Sequence, residues 1–309
     1  MSTREAYGQK LVELGTVNPA IVVLDADLSK STMTHHFAKK FPDRFFDCGI
    51  AEQNMVTIAA GMASVGKIPF ASTFAVFLPG RCFDQIRMSI SQTKLNVKLV
   101  TTHSGISVGE DGVSHQAIED LALACALPGL NVVVPADGVE TAKVIECAAS
   151  TAGPFYVRLG RPRIPVIFNQ AYEFHLGKSA MLREGSDVTV IAIGIMVKAA
   201  LDAAAELSQS GIECTVINMS SLQPVDTEAI IQTAIKTRAI VTAEEHLVHG
   251  GLSSIVAGVV ARHRPVPMEF VALEGYAQSG KPDVLLERYG LSSQGIVRAV
   301  HNVLKRKNQ

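Results

Sequence analysis

Short apolar runs alternate along the chain with segments whose apolar residues recur at helical spacing. The β-branched or apolar runs "AIVVLDADL", "KIPFASTFA", "NVKLVTTH" and "NVVVPA" predict buried strands, and segments such as "GVETAKVIECAAS" predict helices between them. Strands that alternate with helices through short connections are typical of a parallel sheet covered by helices on both faces. The pattern therefore predicts an α/β fold with doubly wound sheets.

A less regular stretch, residues 161–178, interrupts the alternation and carries two prolines. Beyond it the pattern resumes, with strands predicted at "DVTVIAIG", "ECTVINMSSL", "RAIVTAEE" and "MEFVALEG" and helical spacing over residues 283–307. A chain of 309 residues has the length of two ordinary domains. We therefore expect two doubly wound α/β domains, residues 1–168 and residues 169–309.

Composition and charge exclude several functions. With 48% hydrophobic residues the chain can build two cores, and a formal net charge of −1 with scattered Lys and Arg argues against binding to nucleic acid or to a membrane surface. The five cysteines lack CxxC spacing, which favours thiols in a reducing compartment over disulfides or a zinc site. The polar start "MSTREAYGQKLVEL" has no signal-peptide pattern, so we expect a cytoplasmic location.

One carboxylate lies in an otherwise uncharged stretch, "CGIAEQNMVTIAAGMASVG", in which Glu52 is the single charged residue. Burial of an unpaired carboxylate is costly, so such a group is normally paired, protonated or functional. From Ile58 onward we expect a helix that is packed on nearly every side. Taken alone, Glu52 is better explained as a helix N-cap or an interface carboxylate than as a catalytic group.

Polar residues follow the predicted strands of the first domain. Asp27, the "STF" turn, His103, the glycine-rich loop "HSGISVGEDGVSHQ" and Arg161 all fall at or just after strand ends. In open α/β sheets, ligands bind at the carboxyl ends of the strands. The second domain has fewer such groups, mainly in "AEEHLVHGG", so the first domain is the candidate for function.

Four segments together resemble the transketolase family of thiamine-diphosphate enzymes. They are "GIAEQNM", "STFAVF", "GEDGVSHQ" with His103 upstream, and "RLGRPRIP", and they occur in the family's order. Each segment alone is weakly specific, whereas the set is highly specific. The resemblance runs through nearly the whole chain and corresponds to the pyrimidine-binding and C-terminal domains of a transketolase. It implies transfer of a two-carbon ketol unit from a ketose phosphate to an aldose, with thiamine diphosphate as cofactor.

The resemblance places four residues at the cofactor. Glu52 matches the catalytic glutamate that hydrogen-bonds N1′ of the aminopyrimidine and so promotes removal of the thiazolium proton. Phe77 would stack on the aminopyrimidine and Phe74 would line its pocket, although both are also ordinary core residues. Asp27 matches an interface acid near the cofactor.

The sequence departs from the family at one wall of this pocket. Many transketolases have an aromatic side chain three residues after the second phenylalanine of "STFAVF", and this chain has Gly80 there. We expect another group, either Arg81 or a partner chain, to complete the wall.

The glycine-rich loop is similar to the sugar-binding loop of the family. The resemblance assigns His103 and Asp111 to substrate hydroxyls, and it assigns His115 to the reacting end of the sugar as a second catalytic residue. Histidine suits this role because it donates, accepts and transfers protons near neutral pH. A metal site is the alternative, but its ligand set is incomplete for zinc, so we assign no metal ligand to this chain.

Three further residues match positions that bind the phosphate of the sugar in the family: Arg161 after "YVRLG", Arg4 in "STREA", and Ser31 in "DADLSKS". A guanidinium fork suits phosphate because it forms paired, charge-assisted hydrogen bonds. Arg158 and Arg163 lie close to Arg161 in the sequence, so either one is an alternative if the alignment is shifted.

The chain lacks the Gly-Asp-Gly motif with which the family holds Mg²⁺ and the cofactor's diphosphate. The resemblance therefore implies the C-terminal subunit of a split transketolase, whose N-terminal partner subunit carries the diphosphate and Mg²⁺ site. We expect a heterotetramer in which two copies of this chain associate and sugar phosphates are the substrates. Glu52 and the helix after it would lie at the interface.

Three alternatives remain open from the sequence. An E1 β subunit of a 2-oxoacid dehydrogenase has similar length and domains but lacks the "GEDG" pattern with an upstream histidine. Deoxyxylulose-phosphate synthase shares "GIAEQ" and "STF" but usually carries Ala-Asp-Gly in the loop and is normally one long chain. A degenerate, inactive paralogue is disfavoured by the simultaneous presence of Glu52, His103, Asp111, His115 and Arg161.

Overall fold

The structure, a computed structural model, describes residues 1–307 and contains two sheets covered by helices. None of the helices in this range is long and apolar enough to cross a bilayer. The strands are β1 Ile21–Asp25, β2 Phe45–Asp47, β3 Ile68–Phe74, β4 Lys98–Thr102, β5 Asn131–Val133, β6 Phe155–Arg158, β7 Ala180–Arg183, β8 Val188–Ala192, β9 Cys214–Asn218, β10 Ser221–Gln223, β11 Ile240–Leu247 and β12 Met268–Leu273. The helices are α1 Thr3–Val17, α2 Ser29–Thr32, α3 His35–Lys40, α4 Glu52–Ser64, α5 Pro79–Gln85, α6 Asp120–Cys125, α7 Gly138–Ser150, α8 Met196–Ser208, α9 Thr227–Thr237, α10 Leu252–His263, α11 Pro282–Arg288 and α12 Ser293–Lys307.

The first sheet has the strand order β10-β5-β6-β4-β3-β1-β2 and is parallel except at β10. Its central strands are continuous apolar runs because helices cover both faces; β1 is buried along its whole length. The register pairs Asp25 with Ser72 and Phe74 with Thr102, so neighbouring strands end at one edge of the sheet. The polar residues that follow these strands therefore meet at this edge.

The second sheet has the order β12-β11-β8-β9-β7 and is parallel except at β7. The predicted fold class, two doubly wound α/β domains, is confirmed, and each sheet carries in addition one antiparallel edge strand. Strand β7 was not predicted. Its four residues are partly exposed, so they give no continuous apolar run.

The predicted strand "ECTVINMSSL" divides between the two sheets. Its first part forms β9 in the second sheet, and its end forms β10, which pairs with β5 of the first sheet. This pairing satisfies polar groups near the edge: Val134 donates its N–H to the carbonyl of Ser220 at 2.7 Å, and the Gln223 amide donates to two carbonyls of the turn at residues 127–130. The first sheet thus contains a strand from the second half of the chain, and a domain division at residue 168 stays a proposal.

Helix α4 begins at Glu52, earlier than the expected Ile58, and is packed on one side only. The opposite side, which includes Gln53 and Thr57, is exposed. The buried residues are Glu52, Met55, Val56, Ala59 and Ala60. The expectation of a helix packed on nearly every side is wrong for the chain by itself, because no element within residues 1–307 covers that face. Its burial at an interface stays a prediction.

The helix predicted over residues 283–307 is two helices, α11 and α12. Gly290 separates them with a φ of +73°, which a right-handed helix does not allow. The Gly290 carbonyl also lies against Gly295, where a Cβ would be only 1.9 Å from that oxygen, so the close contact requires glycine. Residues 308 and 309, the end of the expected second domain, lie outside the described residues.

One apolar cluster joins the N-terminal half (residues 1–168) to the C-terminal half (residues 169–307). It includes Leu121 and Val134 from the N-terminal half together with Ile193, Leu222 and Leu252 from the C-terminal half. Removal of this shared apolar surface from water stabilises the contact between the halves. Elements of the C-terminal half are therefore held close to the carboxyl edge of the first sheet.

Candidate active site

Two neighbouring strands bring an aromatic pair together at the carboxyl edge of the first sheet. Strand β3 ends at Phe74, whose register partner Thr102 is the last residue of β4. The next residue, His103, leaves the strand with a φ of +59°. Its imidazole stacks on the ring of Phe74, with the two centroids 3.9 Å apart. Both side chains are buried, so they form the floor of the candidate site.

Phe77 and His115 extend this floor toward solvent. The ring centroid of Phe77 lies 5.7 Å from that of Phe74 and 5.5 Å from that of His115, which approaches it edge-on. Both Phe77 and His115 are half-buried. The structure therefore brings together four of the predicted site residues, although they come from a strand end, a turn and the glycine-rich loop.

Arg81 connects Glu52 to this aromatic cluster. Its Nη1 atom donates a hydrogen bond to Oε1 of Glu52 at 3.0 Å, and its Cζ atom lies 4.0 Å from the ring centroid of Phe77. Glu52 is 5% exposed and is the first residue of α4, where the helix dipole favours a carboxylate. The guanidinium group thus lies between a buried carboxylate and the face of an aromatic ring.

The position of Arg81 also bears on the pocket wall that the sequence left open. The side-chain amide of Gln53 holds its backbone by donating to the Arg81 carbonyl at 2.8 Å. At Gly80 an added Cβ would meet no atom within 4 Å. Arg81, one of the two groups expected at this wall, contacts the ring of Phe77 in this chain.

His103 is a neutral hydrogen-bonding group at neutral pH. Burial and then the positive charges of Arg4 and Arg161 lower its pKa to about 3. Its Nδ1 atom lies 2.8 Å from the hydroxyl oxygen of Thr102, which fixes the orientation of the ring. Because Nδ1 is paired with Thr102, the neutral imidazole has Nε2 left to donate or accept one hydrogen bond, so it suits the recognition of a hydroxyl group.

Arg4 and Arg161 bring two guanidinium groups close to the floor of the site. Arg4 donates from Nη1 to the carbonyl of Ser31 at 2.8 Å, while its buried Nε has no hydrogen-bond partner in residues 1–307. Burial and the charge of Arg161 lower the pKa of Arg4. Arg161 donates to the carbonyl of Val108, and its Nη1 lies 3.6 Å from a carboxylate oxygen of Asp111. Two neighbouring guanidinium groups with an unused donor are suited to an anion.

The two arginines next to Arg161 in the sequence have other partners. Arg158 is 4% exposed, and its Nε lies 2.8 Å from a carboxylate oxygen of Asp120. Arg163 is exposed and lies 3.5 Å from a carboxylate oxygen of Glu5. Of the three arginines, only Arg161 contacts the glycine-rich loop through Asp111, which favours the unshifted alignment.

Asp27 makes no contact with the aromatic cluster in this chain. It is exposed and has a φ of +61°. Asp25, which was not among the predicted site residues, is buried and accepts hydrogen bonds from the hydroxyls of Thr32 and Thr34. Burial raises the pKa of Asp25 to about 6. These hydrogen bonds shape the turn that carries Ser31. The sequence indicates this role of Asp25 only by placing an acidic residue at the end of a predicted strand.

Both halves of the chain match models of one protein family. Residues 1–166 match the model described as transketolase, pyrimidine binding domain, and residues 177–296 match that described as transketolase, C-terminal domain. The fold and the candidate site thus define a pyrimidine-binding domain followed by its C-terminal domain. The chain belongs to the transketolase family.

Relatives of similar length support the same conclusion. A putative transketolase C-terminal section from Methanocaldococcus jannaschii is 42% identical over 308 residues, which are 98% of this chain and 96% of the relative. A 6-deoxy-6-sulfo-D-fructose transketolase subunit from a Clostridium species is 40% identical over 99% of this chain and 95% of the relative. The solved structure of a split gene transketolase, an inactive β4 tetramer, is 52% identical with a TM-score of 0.94 and covers 99% of both chains.

The chain spans about half the length of the single-chain transketolases that it matches, for example 49% of the human enzyme. Like its relatives of similar length, it corresponds to the C-terminal section of a split transketolase. The predicted family and the predicted transferase class are confirmed. The comparisons favour a transketolase over the two alternatives from the sequence, an E1 β subunit and deoxyxylulose-phosphate synthase.

Proposed function

We propose that this chain is the C-terminal subunit of a cytoplasmic transketolase and acts together with an N-terminal subunit. The pair transfers a two-carbon ketol unit from a ketose phosphate to an aldose acceptor. The observation that carries the proposal is that buried Glu52 and the ring of Phe77 contact one and the same guanidinium group, with His103 and His115 on the same aromatic floor.

The residues present fit the aminopyrimidine of thiamine diphosphate, the cofactor on which the transketolase family depends. A planar group that carries nitrogen donors, the guanidinium of Arg81, already lies against both Glu52 and Phe77. When bound, the cofactor supplies the electron sink for breaking a carbon–carbon bond next to a carbonyl. Glu52 would hold a proton at the ring nitrogen, Phe77 would stack on the ring, and Phe74 would line the pocket.

The glycine-rich loop would orient the sugar. Neutral His103 would form one hydrogen bond with a sugar hydroxyl through Nε2, and Asp111 would accept a hydrogen bond from another hydroxyl. His115 is half-exposed at the edge of the aromatic floor, where it would move a proton at the reacting end. Arg161 and Arg4 would bind the terminal phosphate, since the buried Nε of Arg4 has no hydrogen-bond partner in residues 1–307. The turn at Ser31, whose carbonyl accepts a hydrogen bond from Arg4, would lie over the phosphate.

The remaining parts of the site would come from other chains. Within residues 1–307 no three His, Cys, Asp or Glu side chains converge to hold a metal ion, and the sequence lacks Gly-Asp-Gly. We place the Mg²⁺ and diphosphate ligands on the N-terminal subunit, in a heterotetramer whose interface includes the exposed face of α4. Asp27, exposed in this chain, would then lie near the cofactor at that interface. The β4 tetramer of the related split gene transketolase is described as inactive, which supports the need for a second kind of subunit.

Donor specificity tests the proposal. The purified chain is assayed alone and with the N-terminal subunit, with Mg²⁺ and thiamine diphosphate, and with either a labelled ketose phosphate or pyruvate as donor. We expect turnover by the pair with the ketose phosphate, and Glu52→Gln should abolish it. Turnover by the chain alone, or by the pair with pyruvate only, would contradict the proposal, and an inactive pair would favour a degenerate paralogue.

A further inference from the structure

Glu245 of the C-terminal half reaches the glycine-rich loop of the N-terminal half. It lies near the end of β11 and is 4% exposed. Its Oε1 atom accepts the backbone N–H of Ser107 at 2.5 Å, and its Oε2 atom accepts the Ser107 hydroxyl at 3.2 Å. One carboxylate therefore holds both donors of a residue that lies near the start of the loop.

Gly105 shows how closely the loop backbone approaches this carboxylate. A Cβ at Gly105 would lie 2.1 Å from Cδ of Glu245. Gly105 also has a φ of +73°, a backbone conformation that disfavours residues other than glycine. In the structure the glycine is required by contact with the C-terminal half.

A second contact holds the other end of the loop. The hydroxyl of Ser279 donates to the carbonyl of Glu110 at 2.6 Å, and the side-chain amide of Gln116 donates to the carbonyl of Gln278 at 3.1 Å. Asp111 lies between these two contacts. The segment before α11 thus anchors the part of the loop that carries the candidate substrate residues.

Arg158 ties β11 to the segment that follows the loop. Its Nη2 atom donates to the backbone carbonyl of Glu245 at 3.0 Å and to that of Ala117 at 2.9 Å, while its guanidinium pairs with Asp120. The side chains of Arg158, Asp120 and Glu245 are all buried. The backbone of Glu245 is therefore fixed, so its carboxylate is held in place against the loop.

We propose that Glu245 is a positioning residue for sugar binding, because it fixes residues 103–116 through Ser107, with Ser279 as a second anchor. The inference rests on the proposed function, which assigns His103, Asp111 and His115 to the sugar. It also gives the C-terminal half a role at the site, since β11 and the segment before α11 support the back of a loop whose other side binds substrate.

The test compares Glu245→Ala and Glu245→Gln with the matched control Glu244→Gln. Glu244 is equally buried, but its carboxylate accepts the backbone N–H groups of Leu252 and Ser253 at the start of α10 and makes no hydrogen bond to the loop. Two readouts are used. Steady-state kinetics of the chain reconstituted with its N-terminal subunit give KM and kcat for a ketose phosphate. Hydrogen exchange of the full chain by itself gives the protection of the loop amides.

Glu245→Ala should raise KM about tenfold or more with a smaller change in kcat, and the amide of Ser107 should lose protection. Glu245→Gln keeps an acceptor for that amide and should recover most of both properties. Ser279→Ala, at an exposed position, should raise KM about threefold without affecting the core. Glu244→Gln should leave KM and loop protection near the wild-type values.

Unchanged KM and unchanged protection in Glu245→Ala would overturn the proposal. Equal effects of Glu244→Gln and Glu245→Ala would also overturn it, since they would reflect general loss of packing. An inactive wild-type pair would contradict the proposed function, whereas hydrogen exchange needs no activity and still decides whether Glu245 fixes the loop.

Discussion

The guanidinium of Arg81 lies 3.0 Å from the carboxylate of Glu52 and 4.0 Å from the ring centroid of Phe77. It thereby makes the two contacts that we propose for the cofactor's aminopyrimidine. In the proposed site the two groups cannot share this space, so we predict that the side chain of Arg81 moves when the cofactor binds. Its side chain is 48% exposed, which leaves it a path into solvent.

Arg81→Gln should therefore strengthen the binding of thiamine diphosphate to the reconstituted pair. Removal of the competing guanidinium increases the fraction of sites that can accept the cofactor, and we expect Kd to fall about threefold or more. Calorimetric titration in the presence of Mg²⁺ measures this change. Arg87→Gln is the control, because Arg87 lies on the same stretch of chain but pairs at the surface with Asp84. Weaker binding by Arg81→Gln would mean that this arginine helps to hold the cofactor.

Arg161→Met should raise KM for a phosphorylated ketose about tenfold or more and leave KM for the unphosphorylated sugar almost unchanged. The expected loss is that of a charge-assisted hydrogen bond to an anion. Steady-state kinetics of the reconstituted pair measure both constants. Arg163→Met should have little effect, since Arg163 is exposed and pairs with Glu5. An unchanged KM for the phosphorylated sugar would refute the assignment of Arg161.

His103 should remain neutral in the folded chain over the range in which an unfolded histidine titrates. Its folded-state pKa is about 3, against about 6.5 in the unfolded chain. Between these values only the unfolded chain binds a proton at this residue. Its contribution to the free energy of unfolding is therefore fully present above about pH 6.5 and is lost progressively as the pH falls toward the folded-state value.

Nuclear magnetic resonance of the imidazole nitrogens tests this directly. In the folded chain the His103 signals should keep the neutral form down to about pH 5, whereas in urea they should titrate near pH 6.5. His103→Gln should reduce the loss of stability on acidification over the same range. A folded-state midpoint near the unfolded value would show that His103 is more accessible than the structure indicates.

Much of the fold follows from local pattern. The buried run of β1 and the helical segment of α7 are both recognisable without a structure, because burial on both faces of a sheet imposes continuous apolar residues. The sequence could not distinguish strand β10 from β9 as a separate strand. Its three residues join the first sheet because the edge of β5 is free to pair with them, and the sequence does not show that edge. The exposed face of α4 was likewise beyond prediction, because an apolar sequence does not say which chain covers it.

The candidate site shows the same division. Short sequence segments that resemble the family contain Glu52, Phe77 and His103, so these residues could be predicted as site residues from the sequence. The contact of Glu245 with Ser107 joins residues 138 positions apart, and no local pattern encodes it. Arg81 could be named only as a candidate, since its direction depends on how α5 lies against α4.

The central claim is that this chain forms the aminopyrimidine half of a cofactor site that is shared with another subunit. Its most direct test is calorimetric titration of thiamine diphosphate with Mg²⁺ into the chain alone, and then into the chain with its N-terminal subunit. We predict tight binding only for the pair, and loss of that binding in Glu52→Ala. Tight binding to the chain alone would contradict the claim, because the diphosphate site would then lie within this chain.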